Sequence, residues 1–200
     1  ITIRGIGSRS PFATNKIKAY LDEIPLSTGE GETTLEDIDF STLAGIEVYR
    51  GPSSTMYGAG LGGAIHMITK KVASANSISA DVSIGSFGLM KYNFKAEVGN
   101  EDRGISLYYQ DVSSDGYRDN NEYYRKSITG IGRTKIGNKS SLTAYFNNTN
   151  LKAFIPSSLS LEDYQDEPTK AAFVWGNAKG VEDNQRIRLG LSLKTAHNET

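Results

Sequence analysis

Residues Met90–Val98 read M-K-Y-N-F-K-A-E-V, and no other stretch of the chain alternates more strictly. Met90, Tyr92, Phe94, Ala96 and Val98 fall on one side, with Lys91, Asn93, Lys95 and Glu97 between them on the other. A period of two describes a β-strand with one face in an apolar medium and the other in water. The pattern recurs on both sides. Upstream, over Asn76–Gly85, Ile78, Ala80, Val82 and Ile84 oppose Ser79, Asp81 and Ser83. Downstream, over Arg186–Thr195, Ile187, Leu189, Leu191 and Leu193 oppose Arg186, Arg188, Ser192 and Lys194. Weaker versions are Ile105/Leu107/Tyr109, Ile128/Gly130/Gly132/Thr134/Ile136 and Leu142/Ala144/Phe146.

These make about six strands of roughly 9–13 residues, where an average soluble strand has ~5–6 and a tilted membrane strand ~9–11. The connections alternate in length. Ser86–Gly88 is a tight turn, and Asn100–Asp102 and Gly137–Asn138 are short. Ser114–Tyr123 is longer and Asn150–Asp183 longer still, so the third and fifth connections are the long ones and the second and fourth short. Antiparallel strands crossing an outer membrane have short turns on the periplasmic side and longer loops outside. This alternation places Ser86–Gly88, Ser114–Tyr123 and Asn150–Asp183 on the outer side, and it turns Lys91, Lys95, Arg186 and Arg188 toward a lumen. The competing reading is a soluble antiparallel β-domain with one solvated face that binds ligand in a groove.

Composition narrows the function. The 200 residues hold 22 basic and 23 acidic side chains, a net charge of -1, which disfavours a nucleic-acid partner. No cysteine is present, which removes disulfides, zinc–thiolate sites and thiol nucleophiles. Mean hydropathy is -0.41, and no apolar run approaches the ~18 residues of a spanning helix, yet a membrane barrel also averages out as polar. No basic and then apolar leader pattern opens the chain at Ile1, so no targeting segment is read there.

Gly58-Ala-Gly60-Leu-Gly62-Gly63 satisfies GxGxxG formally. A dinucleotide site needs a strand directly before and a helix directly after, and β-branched Ile65, Ile68 and Thr69 make the following segment strand-like. Close packing is the better use of these glycines. His66 and His197 are the only histidines and lie far apart, so no metal set is read. No GxSxG or SxxK occurs, and no enzyme is expected. Asp115, Asp119 and Glu122 lack calcium-loop spacing and read as a solvated loop tip.

Residues 1–73 differ from the rest: short apolar bursts punctuated by Gly, Pro and Ser, with a short turn or helix possible at Ser41–Leu43. The stretch IEVYRGPSSTMYGAGLGGAIHMITK, Ile46–Lys70, closely resembles the end of the plug domain of TonB-dependent outer-membrane receptors. IRGIGSR (Ile3–Arg9) and YLDEIPL (Tyr20–Leu26) resemble upstream plug motifs of that family, in the same order. Glu23 departs from the pattern, since the family commonly has glycine after the aspartate, and a change of turn type is expected there.

The resemblance implies an all-β membrane protein with a small mixed plug: the C-terminal part of the plug over 1–73 and the first six or so strands of an antiparallel barrel over 74–200. Six strands cannot close a plug-bearing barrel of about 22, so the chain is expected to be part of a longer one. The implied function is energy-coupled uptake of a scarce metal chelate across the bacterial outer membrane, a ferric siderophore or ferric citrate first, with cobalamin or an oligosaccharide as alternatives. The implied partners are that ligand, outer-membrane lipid and a TonB-type inner-membrane protein acting through a segment not contained here; no cofactor is implied.

The resemblance also implies that Arg4 and Arg50 lock the plug to wall glutamates, and that plug apices and outer loops converge on the ligand. Arg9, Phe12, Ser27 and Glu30 on the apices, with Tyr117, Arg118 and Trp175 on the loops, are the candidate contacts. Arginine and aromatic groups suit anionic, aromatic chelates. Gly51, Gly58, Gly60, Gly62 and Gly63 are the packing glycines, where a side chain would prevent close backbone approach.

Overall fold

The computed structural model describes residues 3, 5, 14–28, 32, 33, 35, 38–51, 57, 58, 60–71 and 76–196. The chain divides into two compact units, residues 1–71 with 135–143 and 190–200, and residues 72–134 with 144–189. The expected division at residues 73/74 lies outside the described residues.

In the first unit, β1 (Ile17–Leu21), β2 (Ile24–Pro25), β3 (Leu43–Arg50) and β4 (Gly63–Thr69) form a sheet in the order β2-β1-β4-β3. β1 and β4 are parallel, and the two outer pairs are antiparallel. The inner pair supplies the core: Ile17, Ala19, Leu21, Ala64 and Met67 are almost wholly buried. Ile38 and Leu26 are also buried, while Ile46 and Val48 on the outer strand β3 are exposed. Phe40–Thr42 forms one 3-10 turn, which starts where the Asp39 carboxylate accepts from Ser41 N at 2.9 Å.

The larger sheet runs in strict chain order through β5 (Ser77–Ile84), β6 (Met90–Gly99), β7 (Arg103–Ser114), β8 (Tyr123–Ile136), β9 (Ser140–Phe154) and β10 (Val181–Thr195). All six expected strands are present. β8, β9 and β10 are longer than the alternation foretold, at 14, 15 and 15 residues. Their ends on the long-loop side carry polar residues on both faces, and there hydropathy no longer marks a strand.

Burial in this sheet is inverted. Ser106, Gln110, Ser127, Thr129, Asn147 and Thr149 are at most 2% exposed, whereas Ile78, Leu189 and Leu191 are at least 75% exposed. A sheet folding around an apolar core in water would do the opposite, because burying apolar area is the main favourable term. The polar face satisfies itself laterally. Asn93 Nδ2 donates to Asp81 at 2.6 Å, Gln110 Nε2 donates to Asn93 Oδ1 at 2.9 Å, and Arg125 donates to Gln110 Oε1. Lys95 meets Glu97 at 2.7 Å on the same face, so the lysines at 91 and 95 turn to the polar side as expected. No helix among the described residues is long and apolar enough to cross a membrane. The inverted sheet offers the other way across.

Candidate functional site

Antiparallel order brings the connections 85–89, 115–122 and 155–180 to one edge of the sheet. Asp115 N donates to Phe87 O at 2.9 Å, and the Phe87 and Tyr117 rings meet edge to face at 5.3 Å. The expected ligand contact Arg118 is engaged within the loops. Its guanidinium donates to Ser157 O at 2.6 Å, to Lys170 O through Nε at 3.0 Å and Nη2 at 2.9 Å, and more weakly to Pro156 O. Asn120, which sequence reasoning passed over, donates to Ile155 O and Gly180 O, both at 3.0 Å. Its φ of +54° is one that asparagine tolerates better than most residues. Together these two side chains tie both ends of the long connection to the shorter one.

The long connection is not plain loop. It carries α1 (Leu161–Asp166) and α2 (Phe173–Ala178), neither expected from the sequence. Ser160 caps α1 by accepting from Asp163 N at 3.0 Å, and the S-x-x-D spacing was the available clue. Lys170 bonds the Asp163 carboxylate, which holds that carboxyl below the usual aspartate range and the ammonium above the usual lysine range.

Tyr117, Arg118, Leu159, Leu161, Tyr164 and Pro168 line an open cleft of about 580 Å³. That volume is in the range of small-molecule sites, ~300–1,000 Å³. On the same long connection α2 presents Phe173 and Val174 as well-exposed apolar side chains, with Trp175 partly covered. Gly180 leaves the Trp175 ring its place, because a Cβ there would lie 2.0 Å from Trp175 Cε3. The arrangement can clasp a planar or aromatic compound by stacking and apolar contact. Among the described residues no cluster of His, Asp and Glu could hold a metal ion.

In the first unit, Ser27 Oγ lies 2.9 Å from Thr33 Oγ1, and Thr28 N donates to Glu32 O at 2.8 Å. Arg50 is exposed at the end of β3, level with Gly63, and has no ion-pair partner among the described residues. Arg4, Arg9, Phe12 and Glu30 lie outside the described residues. Gly63 has φ +126°, and a Cβ there would meet Tyr49 O at 2.0 Å. At Gly60 a Cβ would meet Gly63 O at 2.9 Å. Gly51 and Gly62 link through a backbone hydrogen bond of 3.2 Å, and Gly58 is exposed.

Nearby, Tyr57 stacks in tilted fashion on Tyr20 and Tyr49, at 5.4 and 5.0 Å. Tyr49 donates to Glu47 at 2.6 Å, and that bond pushes its phenol well above the usual tyrosine range. The departure at Glu23 is absorbed by its neighbour. Asp22 takes the positive φ, +49°, while its carboxylate accepts from Thr69 N and Oγ1 at 2.9 and 2.6 Å.

The family model for the TonB-dependent receptor plug domain matches residues 1–65. Among solved structures, the ferric yersiniabactin uptake receptor FyuA of Yersinia pestis aligns with a TM-score of 0.68 at 16% identity, covering 92% of this chain and 30% of that one. The unliganded ferric citrate transporter FecA aligns at 0.65 and 18% identity, covering 81% and 26%. The ferric-catecholate import receptor Fiu of E. coli K12 aligns at 0.56 and 23% identity, covering 70% and 21%. The chain therefore spans less than a third of the length of each, and these likenesses give its fold: a plug-type sheet followed by consecutive antiparallel strands of a β-barrel wall.

Proposed function

Residues 1–65 match the plug domain of the TonB-dependent receptors, and from that premise we propose that the complete protein belongs with them and takes up a ferric chelate, a siderophore or ferric citrate, across the outer membrane. The observation that carries this reading is the inverted sheet next in sequence to the plug, with Leu189 and Leu191 bare on one face and Gln110 and Asn147 buried on the other. Such a wall has no use in water and separates a lipid side from a polar conduit. The braced loops support a ligand with aromatic or planar groups, met by Tyr117, Tyr164 and the α2 crest.

Energy would come from a TonB-type inner-membrane protein. Arg4 and Arg50 are proposed as reversible anchors of the plug, since charge-assisted pairs are strong and yet exchangeable with water. Neutralising both should raise passive conductance in planar bilayers. The deciding experiment is calorimetry of the full-length, detergent-purified receptor against ferric chelates, cobalamin and oligosaccharides. Binding confined to cobalamin or a glycan would overturn the ferric reading.

A further inference from the structure

The outward face of β8, β9 and β10 changes character abruptly on the long-loop side. Ile128, Phe146, Ile187 and Leu189 are exposed apolar residues of that face. One outward position beyond Ile128 stands Lys126, then Tyr124. On β9 the corresponding end carries Asn150 and Lys152, and on β10 Asp183 and Gln185. Tyr124, Lys126, Asn150, Lys152, Asp183 and Gln185 line an open cleft of about 400 Å³.

Both ammonium groups are available. The Lys126 and Lys152 side chains are 64% and 50% exposed, facing Asp111 at 3.3 Å and Asp183 at 3.9 Å. Each ammonium has three donors, and one aspartate at those distances leaves capacity for another acceptor. Lys152 Nζ also lies 5.5 Å from the Phe154 ring. On the surface of a soluble protein these would be two ordinary ion pairs. Here they stand on the outward face beyond the exposed apolar residues of the same strands, Ile128 and Phe146.

We propose that this cleft is a binding site for the phosphate-bearing headgroup of an outer-leaflet lipid, with Lys126 and Lys152 as the phosphate contacts and Tyr124 packing at the interface. Lysine stems lie along the apolar wall while the heads reach the headgroup layer. The tyrosine presents an amphipathic ring at the same depth. Asp111 and Asp183 are the groups that a phosphate displaces from the two ammonium groups. The inference uses the outer-membrane placement and not the identity of the transported compound.

The test measures binding of diphosphorylated lipid A, and of its dephosphorylated form, to the full-length receptor by native mass spectrometry. At about fivefold per lysine, K126Q/K152Q should weaken binding of the phosphorylated form roughly 25-fold. D111N and D183N, which remove the competing carboxylates, should tighten it. Equal binding by K126Q/K152Q, equal binding of the dephosphorylated lipid, displacement by inorganic phosphate, or weakening by D111N through a lost cation bridge would each overturn the proposal. The ferric-chelate panel run on the same samples separates the two readings: absent chelate binding with intact lipid binding sinks the uptake reading alone.

Discussion

Lys194 Nζ lies 3.2 Å from Glu23 Oε1, and Ser192 Oγ donates to the other oxygen of the same carboxylate at 3.2 Å. The tight turn between β1 and β2 is thus held by the last turnless stretch of β10. Gly190, on the same face of β10, makes room for Ile24, whose Cδ1 would lie 2.5 Å from a Cβ at that position. The glutamate that departs from the family pattern therefore has a local use: it fastens the hairpin to the strand.

This contact should respond to acid. Burial alone would push the Glu23 carboxyl up, but the hydrogen bond and charge of Lys194 and the Ser192 hydroxyl outweigh it, so the value sits below the ordinary glutamate range. A lowered carboxyl contributes stability above its unfolded value of about 4.3 and loses it as pH falls through the folded one. Both side chains are largely exposed, at 74% for Lys194 and 47% for Glu23, and solvent screening holds the effect under about 1 kcal/mol. Amide exchange at Asp22 and Glu23 should quicken up to about fivefold in E23Q at neutral pH. The native protein should approach that rate below the folded value, and an E23Q rate indistinguishable from native at pH 7 would show the contact to be idle.

Much of this fold was legible because alternation survives averaging: Met90–Val98 forms a strand with its lysines on the polar face, as its spacing implies. The ends of β9 and β10 were not, because Asn148, Asn150, Asp183 and Gln185 occupy outward positions beyond the apolar band. The α1 and α2 helices have six residues each, too short for a hydrophobic period to declare itself. Arg118 was visible as a loop arginine but not as a brace, since its carbonyl partners lie 38–52 residues away. The Glu23–Lys194 contact spans 171 residues, and nothing local encodes it.

Removing the brace should free the long connection without unfolding the strands. Hydrogen bonds from a charged donor are worth about 1.5–3 kcal/mol each when they hold otherwise buried carbonyls. Arg118 is only partly buried, so R118A should lose the lower end of that, read as a roughly tenfold rise in amide exchange over residues 155–172. R118K keeps the charge but cannot spread its donors over Ser157 and Lys170 as a planar fork does, and it should restore little. Full rescue by lysine would mean that charge, and not geometry, holds the loop.

Two glycines on different strands should behave oppositely. At Gly63 an alanine meets Tyr49 O at 2.0 Å with φ at +126°, and β3 and β4 cannot both keep their register. G63A should cost about 3 kcal/mol or more. At Gly132, on the outward face of β8, an added Cβ finds nothing within 4 Å. G132A should fall within about 0.5 kcal/mol of native. Chemical unfolding of the full-length protein in detergent ranks the two, and a G63A protein as stable as G132A would contradict the close approach of β3 and β4.

The inverted sheet makes the sharpest demand. Leu189 is 77% exposed in the middle of the run Ile187, Leu189, Leu191 and Leu193. If that face met water, Leu189→Lys would be neutral or would improve solubility. Against hydrocarbon near the bilayer midplane a lysine costs about 2–4 kcal/mol. On the polar face one residue away, Arg188→Gln keeps a hydrogen-bonding group where one already stands. Folding of the two full-length variants into lipid vesicles, followed by the gel shift between folded and boiled barrel and by denaturant titration, compares them directly. Leu189→Lys should lose stability by the stated amount and Arg188→Gln by much less; equal losses, or a lysine variant that stays folded in buffer without detergent, would remove the membrane from the account of this sheet.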